Sequence, residues 1–390
     1  VRPASRTGAC GCLCSAGCGG LLLWLDGASK QLREGPEHQA FLDHEPVLYM
    51  PEMDWVSFHN WSARTWPGGA TMRFDWHFWP SEYHRFPAHR RTKDPHTIFA
   101  LPKAVGQLLR IAATDFDNGR RDRVVVFGGD ETPLSQAFGG SAAERAETVR
   151  SLQKWFGAVF YYVKDVDVEG VMTMPVGLAH FHLPHGRATS AAAKAIAAAR
   201  VDAAFKRRSL LVAHSVGSHS DHLEKATRAS DEEWAAMFAG IRCQQPSQAI
   251  ASQAFGQRME LAEWGQTEAA ERAGVEFRRI QGGVGRWWQE LATYRFLACP
   301  LGSGIQTIKI CEALLVLTVP IVKRGGYPVF DDMVRLGFPL AIVDDWTEVT
   351  AARLDAWWRE LAPRLPSFRR NCLSAEGFWR IFTGGNRSCE

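Results

Sequence analysis

The sequence has little excess of either charge, since 45 Lys and Arg residues stand against 42 Asp and Glu residues and leave a formal net charge of +3. This near balance argues against a broad basic surface and therefore against nucleic acid as a partner. No internal repeat is visible, which excludes solenoids and propellers. With 390 residues, 46% of them hydrophobic, the chain is too balanced for disorder and has enough material for two packed domains.

The nine cysteines do not form an evenly spaced disulfide framework. Four of them crowd the first twenty residues in C-x-C spacing without a second C-x-x-C half, so we expect no zinc site there. They lie in an apolar, uncharged stretch from Gly8 to Leu25, which indicates a signal or membrane-anchor segment within residues 1–30. Two N-x-S sequons, at Asn60 and Asn386, would suit the secretory pathway.

Short apolar runs alternate with helical segments from Arg121 onward, which is typical of a parallel sheet with crossover helices. The alanine-rich stretch from Ser190 to Ala204 predicts a helix, and the strand-like SLLVAHS after it opens a second α/β unit. We therefore predict an N-terminal, acceptor-side domain over residues 31–205, a second domain over residues 206–365 and a C-terminal tail over residues 366–390.

The segment YRFLACPLGSGIQTIKICEALLVLTVPIVK places a glycine turn between a buried strand and a helix. The turn Gly302-Ser303-Gly304 allows a ligand to approach the backbone closely, and the start of the helix favours an anion such as phosphate. Glu312 lies roughly 7 to 8 Å further along the helix, about the distance from a diphosphate to the ribose of one nucleotide. Two interpretations of Glu312 stay open on spacing: a carboxylate that binds ribose hydroxyls, or a helix-face partner of Lys309.

The run G-x-G-I-x-T-x-K-x-x-E-A-L, followed by VPIVKR and LAIVDDW-T-E-V-T, resembles the C-terminal half of exostosin-like glycosyltransferases over residues 294–350. The resemblance implies an α/β fold of the GT-B type, with two Rossmann-like domains and a cleft between them. It also implies transfer of a sugar from a nucleotide sugar, with a UDP-sugar favoured, to a glycan or glycoconjugate acceptor. The implied location is the secretory pathway, at the Golgi membrane.

The same resemblance assigns roles within the second domain. Glu312 would hold the ribose of the sugar donor, and Lys309 stands where a basic residue is usual. Two positions depart from the pattern, because Gln306 stands where Asp is common and Leu317 stands where a glycine usually precedes the next strand. These departures bear on the affinity and identity of the sugar donor. The diphosphate would be lined by Gly302, Ser303, Gly304 and Thr307.

A glycosyltransferase of this type needs positive charge for the leaving diphosphate. For that cation we favour Arg228, with Lys309 second; the alternative for Arg228 is a solvated helix residue. The loop that precedes Arg228 contains Ser215 and Gly217, which could also approach the sugar donor. Because side-chain cations can carry the phosphate charge, we expect no metal ion or other cofactor to be required.

An inverting enzyme also needs a base on the acceptor hydroxyl, at the carboxyl end of a strand in the first domain. VVVFGGDET places Asp130 and Glu131 there, and His180 after MPVGLA is a further candidate. Asp130 could instead cap a turn. The histidine-rich segments HFHLPH and HSVGSHSDH lack i, i+4 spacing with a carboxylate partner, so we predict no metal site.

Eight of the 15 Trp residues are predicted to have one of two roles. Trp346, Trp357 and Trp358 are predicted to pack inside the second domain. Those of the first domain are predicted to stack on an acceptor sugar: Trp55, Trp61, Trp66, Trp76 and Trp79. Two other functions stay open, a non-catalytic carbohydrate-binding protein on the same scaffold and a nucleotide-sugar epimerase.

Overall fold

The computed structural model of the chain contains two β-sheets, each built mainly from parallel strands and accompanied by helices. This topology confirms the predicted α/β class with two Rossmann-like units. The structure describes residues 74–78, 89–90, 92–177, 195–213, 224, 227–238, 247–280, 283–302, 304–373 and 375–384.

The first sheet has the strand order β2-β1-β3-β4-β5-β6, and only the β1–β2 pair is antiparallel. Strands β3 and β4 are buried at every residue, as expected for parallel strands covered on both faces. The strands are β1 (Trp76–Phe78), β2 (His89–Arg90), β3 (Thr97–Ala100), β4 (Val124–Phe127), β5 (Ala158–Tyr161) and β6 (Val171–Thr173). The helices between them are α1 (Val105–Asp115), α2 (Leu134–Ala137) and α3 (Ala142–Gln153), with a 3₁₀ turn at Pro102–Ala104.

The second sheet is wholly parallel, with the order β11-β10-β9-β7-β8. The chain runs outward in one direction from β7 to β8 and in the other from β9 to β11, so the order reverses between β7 and β9. Its strands are β7 (Arg208–Ala213), β8 (Val275–Arg278), β9 (Tyr294–Ala298), β10 (Val319–Lys323) and β11 (Ala341–Val343).

Nine further helices follow β7 along the chain within the described residues. They are α4 (Asp231–Phe238), α5 (Gln248–Trp264), α6 (Glu268–Arg272), α7 (Gly283–Leu291), α8 (Lys309–Leu315), α9 (Val329–Arg335), α10 (Ala351–Leu361), α11 (Leu365–Cys372) and α12 (Ala375–Thr383), with 3₁₀ turns at Trp346–Glu348 and Ala362–Arg364. Across the described part of the chain, no helix combines the length and apolar character that a membrane span requires.

Helix α12 returns from the second unit to the first sheet. The ring of Phe382 lies 5.1 Å from that of Phe160, and the ring of Trp379 lies 5.5 Å from that of Phe74, measured between centroids. The crossovers from β3 to β5 all advance in one direction and are expected to place their helices on one face of the sheet. Helix α12 is not one of these crossover helices, and its aromatic side chains pack on aromatic residues of the first unit.

The predicted alanine-rich helix is wrong in its second half. Among the described residues, helix extends only over residues 195–198, and Asp202 then accepts a hydrogen bond from Phe205 N at 3.0 Å in a turn. Helix propensity is a weak preference that tertiary contacts override. Here Arg369 donates to Ile196 O at 2.7 Å, and the chain must turn so that buried Lys206 can donate to the end of α8.

Helix α8 ends in a Schellman motif whose left-handed residue is Leu317, with φ of 56°. Leu317 N donates to Leu314 O at 3.1 Å, and Thr318 N donates to Ala313 O at 2.9 Å. Glycine is usual at this position of the motif because a Cβ is disfavoured there. Leu317 therefore occupies a left-handed position that glycine would adopt without strain.

In a helix, an alanine variant is usually more stable than a glycine variant at the same position, and at Leu317 we expect the opposite order. Both variants lose a side chain that is only 3% exposed, at a cost of about 2 to 5 kcal/mol, but only glycine relieves the left-handed strain of about 1 kcal/mol. Urea midpoints should therefore fall in the order wild type, Leu317→Gly, Leu317→Ala. Leu354 is equally buried and lies inside α10. There the alanine variant should have a free energy of unfolding about 1 kcal/mol higher than the glycine variant. A more stable Leu317→Ala than Leu317→Gly would contradict this explanation.

Candidate functional site

The candidate site lies at the carboxyl edge of the second sheet, where the strand order reverses between β7 and β9. In open α/β sheets, ligands bind outside the carboxyl ends of the strands at such a point. The loop after β7, residues 214–223, falls among the residues that the structure leaves undescribed. The described part of the site is therefore the loop after β9, residues 299–308, together with the helices that contact it.

The turn around Gly302 is a tight, hydrogen-bonded loop. Gly302 N donates to Ile305 O at 3.3 Å, and Gln306 N donates to Gly304 O at 2.8 Å. A Cβ on Gly302 would stand 2.8 Å from Gln306 O, so any other residue requires a backbone shift. Ile305 is fully buried with φ of 68°, a strained conformation for a β-branched residue. The packing around Ile305 therefore holds the turn in one shape.

Helix α5 clamps the start of this loop through two consecutive side chains. Gln257 Oε1 accepts a hydrogen bond from Leu301 N at 3.1 Å, and Arg258 Nη2 donates to Leu301 O at 3.3 Å. Gln257 is itself buried and donates through Nε2 to Lys323 O at 3.4 Å. The loop after β9 is thus held by the backbone of β10 and by α5.

Arg258 and Lys309 form a pair of neighbouring cations beside the loop. Burial lowers the pKa of Lys309, and the positive charge of Arg258 lowers it further, while Glu312 opposes both effects. Burial also lowers the pKa of Arg258. Both side chains are half-buried, and an anion that contacts both would be attracted by two positive charges. The pair is therefore suited to a phosphate or diphosphate group.

Glu312 lies one helical turn beyond Lys309 and is only 1% exposed. Its Oε2 accepts a hydrogen bond from Trp287 Nε1 at 3.0 Å, which links α8 to α7. The ring of the same Trp287 lies 5.8 Å from Lys309 Nζ, within the range of a cation–π contact. The structure therefore joins Glu312, Lys309 and Trp287 in one cluster.

Gln306, a departure from the exostosin-like pattern, fastens the second unit to the first. Its Oε1 accepts a hydrogen bond from Val176 N at 2.7 Å, and its Nε2 donates to Tyr162 O and Met174 O, both at 2.9 Å. The acceptors lie just beyond the carboxyl ends of β5 and β6. The carboxyl edges of the two sheets therefore meet at the loop after β9, as in a GT-B-like arrangement.

Asp130 and Glu131 follow β4 at the carboxyl edge of the first sheet. Asp130 is 4% exposed, its Oδ1 accepts a hydrogen bond from Thr132 N at 2.9 Å, and burial raises its pKa. This bond is the turn cap that the sequence left open as an alternative for Asp130. Glu131 extends toward the second unit, because its Cγ lies 3.3 Å from where a Cβ on Gly304 would stand. The structure thus brings Glu131 and the glycine turn together.

Other predicted site residues are spread more widely. Arg228 has a side chain that is 77% exposed and forms an ion pair with Glu224 at 2.6 Å, which matches its interpretation as a solvated helix residue. Thr307 Oγ1 accepts a long hydrogen bond from Lys309 N at 3.4 Å. The remaining candidates lie outside the described residues: His180, Ser215, Gly217 and Ser303.

Trp76 was predicted to stack on a sugar, and the structure shows this prediction to be wrong. Trp76 is 1% exposed in the core of the first sheet, and its Nε1 donates to Thr92 O at 2.8 Å. In the second unit, Trp346 is buried and Trp358 packs on Phe296 at 5.8 Å between ring centroids. Where the structure describes the chain, no group of three or more His, Cys, Asp or Glu side chains could hold a metal ion. The other acceptor candidates fall beyond the described residues: Trp55, Trp61, Trp66 and Trp79.

No protein-family model and no curated protein matches the chain, so the exostosin-like resemblance stays a prediction. Among solved structures, the chain is similar to Anabaena Alr3699/HepE in complex with UDP-glucose, at 11% identity and a TM-score of 0.27, with 76% of this chain and 75% of that chain covered. It is also similar to the glycotransferase of kitacinnamycin, at 15% identity and a TM-score of 0.28, with 76% of each chain covered. The fold assignment rests on the strand topology.

Proposed function

We propose that this chain is a glycosyltransferase that takes a nucleotide sugar, with a UDP-sugar favoured, and transfers its sugar to a glycan or glycoconjugate acceptor. The observation that carries the proposal is that Arg258, which donates to Leu301 O, and Lys309, at the start of α8, both border the loop after β9, with Glu312 one turn further along α8. A pair of cations followed by a carboxylate matches the order of diphosphate and ribose in a nucleotide.

The second unit would bind the sugar donor and stabilise the leaving group. Arg258 and Lys309 would offset the negative charge that develops when the bond between the anomeric carbon and the diphosphate oxygen breaks. Glu312 would accept hydrogen bonds from the ribose hydroxyls. Because these side chains supply the positive charge, we propose that transfer requires no metal ion or other cofactor.

The first unit would supply the base of an inverting transfer. In that reaction the acceptor oxygen bonds to the anomeric carbon, and its proton passes to a carboxylate. We assign this role to Glu131, since its side chain lies against Gly304 in the glycine turn. Asp130 is buried, and its Oδ1 accepts a hydrogen bond from Thr132 N within the turn. His180 stays a candidate on the sequence alone.

Replacing Glu312 tests the sugar-donor site directly. We expect Glu312→Gln and Glu312→Ala to weaken UDP binding about 10- to 100-fold in calorimetric titration, because hydrogen bonds to a charged group contribute about 1.5 to 3 kcal/mol. Glu312→Gln retains the shape of the side chain and an acceptor for Trp287, so its thermal unfolding without ligand should stay close to that of the wild type. Glu360→Gln, an exposed change on α10, is the control. Unchanged UDP affinity in both Glu312 variants, or no binding of UDP by the wild type, would overturn the proposal.

A non-catalytic carbohydrate-binding protein on the same scaffold is a second candidate, favoured by one observation. Glu312 is only 1% exposed, so a nucleotide reaches it only after neighbouring side chains rearrange. Release of UDP from a panel of UDP-sugars in the presence of glycan acceptors separates the two functions. Multiple turnovers support the transferase, and glycan binding without UDP release supports the alternative. An epimerase, the third function left open by the sequence, would convert the sugar donor without any acceptor.

We propose the secretory pathway, at the Golgi membrane, as the location. Two N-x-S sequons and the apolar stretch from Gly8 to Leu25 support this location, as does the disulfide-bonded state of Cys372. Disulfides persist in oxidising compartments and are rare in the cytosol. Endoglycosidase digestion of the expressed protein, followed by a change in electrophoretic mobility, would test the location.

A further inference from the structure

Trp287 contacts both charged residues of α8 that the proposed function assigns to the sugar donor. Its indole N–H donates to Glu312 at 3.0 Å, and its ring faces Lys309 Nζ at 5.8 Å. We propose that Trp287 is a positioning residue, which fixes the Glu312 carboxylate so that the site distinguishes nucleotides by their ribose hydroxyls. This inference rests on the proposed function, and it adds a role for Trp287 in the recognition of the ribose hydroxyls.

The buried state of Glu312 creates the need for such a partner. A carboxylate on a flexible side chain has several rotamers, and each unsatisfied oxygen in an apolar environment is costly. An indole N–H is a donor only, so it can stabilise the ionised carboxylate and cannot compete for ribose hydroxyl protons. A carboxylate has about four acceptor positions, so one indole N–H does not by itself exclude a further hydrogen bond.

Trp287 is rigid enough to act as a positioning residue. It belongs to α7, and the next residue, Trp288, is fully buried in the core. Trp287 itself is half-buried. Its side chain has only two torsions, and contact with the Lys309 ammonium restricts the ring further. Helix α7 thereby holds the Trp287 side chain next to the Glu312 carboxylate.

The test compares UDP with 2′,3′-dideoxy-UDP, which has the same base and diphosphate but lacks the ribose hydroxyls. The wild type should bind UDP about 10- to 100-fold more tightly. In Trp287→Phe the ring over Lys309 is retained and the N–H is lost. The ratio of the two affinities should therefore fall about tenfold, while the affinity for 2′,3′-dideoxy-UDP stays within about twofold of the wild type.

Trp288→Phe is the matched control on the same helix. Trp288 Nε1 has no hydrogen-bond partner in the described part of the chain, so this variant removes an N–H that holds no carboxylate. We expect Trp288→Phe to leave the ratio of the two affinities unchanged. Unfolding curves recorded for both variants show whether each is folded at the temperature of the titrations.

Three outcomes would overturn the inference: an unchanged ratio in Trp287→Phe, an equal loss of affinity for both nucleotides, or the same fall in ratio in Trp288→Phe. An equal loss would show that Trp287 only stabilises the fold. Failure of the proposed function would give a different result. The wild type would then bind UDP and 2′,3′-dideoxy-UDP equally well, and Glu312→Gln would leave both affinities unchanged. If Glu312→Gln abolishes discrimination and Trp287→Phe retains it, only the role of Trp287 is wrong.

Discussion

The variant Gln306→Glu should lower the free energy of unfolding by about 3 to 5 kcal/mol, the cost of an uncompensated charge in a buried polar contact. The substitution keeps the shape of the side chain but replaces an NH₂ that donates to Tyr162 O and Met174 O. A carboxylate would face these two carbonyl oxygens in a position that is 3% exposed. Either the variant leaves the charge unpaired, or it takes up a proton and satisfies only one of the two carbonyls.

The same variant should show a defined pH dependence. Burial and the two carbonyls would raise the pKa of the new carboxyl in the folded state above its value of about 4.3 in the unfolded chain. Stability relative to the wild type is then greatest below pH of about 4.3 and is lost as the pH rises through the folded-state pKa. Urea midpoints of the variant and the wild type, measured across this range, check the sign. Gln266→Glu, at an exposed residue, should be neutral, and a change under about 0.5 kcal/mol for Gln306→Glu would contradict the account.

The variant Asp332→Ala should destabilise the contact between the two units by a similar amount, about 3 to 5 kcal/mol. Asp332 on α9 accepts hydrogen bonds from Lys164 Nζ at 2.9 Å and from Thr173 Oγ1 at 2.5 Å, both in the first unit. The Lys164 side chain is 3% exposed and, among the described residues, would retain Asp167 as its ion-pair partner, which is 78% exposed. Alanine therefore leaves a buried ammonium with a single solvent-exposed partner.

A double variant separates the buried charge from the loss of contact. In Lys164→Met/Asp332→Leu both charges are replaced by apolar side chains, and such replacements are often neutral or stabilising. We expect the double variant to recover at least half of the stability lost in Asp332→Ala, measured as the shift in urea midpoint. Equal destabilisation of the single and double variants would show that the ion pair itself, and not the unpaired Lys164, carries the effect.

Much of the fold follows from local pattern. The continuous apolar run in RVVVFGG is typical of a buried strand, which the structure places at Val124–Phe127. The apolar spacing in TEVTAARLDAWWREL is typical of a helix, which is found at Ala351–Leu361 with Thr350 as its cap. Parallel strands that are buried on both faces have continuous apolar runs, so such a strand can be predicted from the sequence alone. The prediction for the alanine-rich stretch failed because long-range hydrogen bonds, from Arg369 to Ile196 O and from Lys206 to Val316 O, decide where that helix ends.

The site was harder to predict, because its residues come together only through long-range packing. Arg258 lies on α5, a helix that the sequence did not predict, since its apolar positions are interrupted by Gly256 and by the buried polar Gln257. Trp287 lies on α7, and nothing in the local sequence indicates that its N–H reaches Glu312. Gln306 could be seen only as a departure from a family pattern, since its hydrogen-bond partners lie more than a hundred residues away.

Hydrogen–deuterium exchange with and without UDP tests the central claim most directly, because it locates the nucleotide without any substitution. If the nucleotide binds between the loop after β9, α5 and α8, UDP should slow exchange in peptides that cover residues 253–262 and 299–316. Exchange in peptides from α3 of the first unit should be unchanged. Protection confined to the first unit, or no protection at a UDP concentration that saturates calorimetric binding, would contradict the assignment of the sugar-donor site.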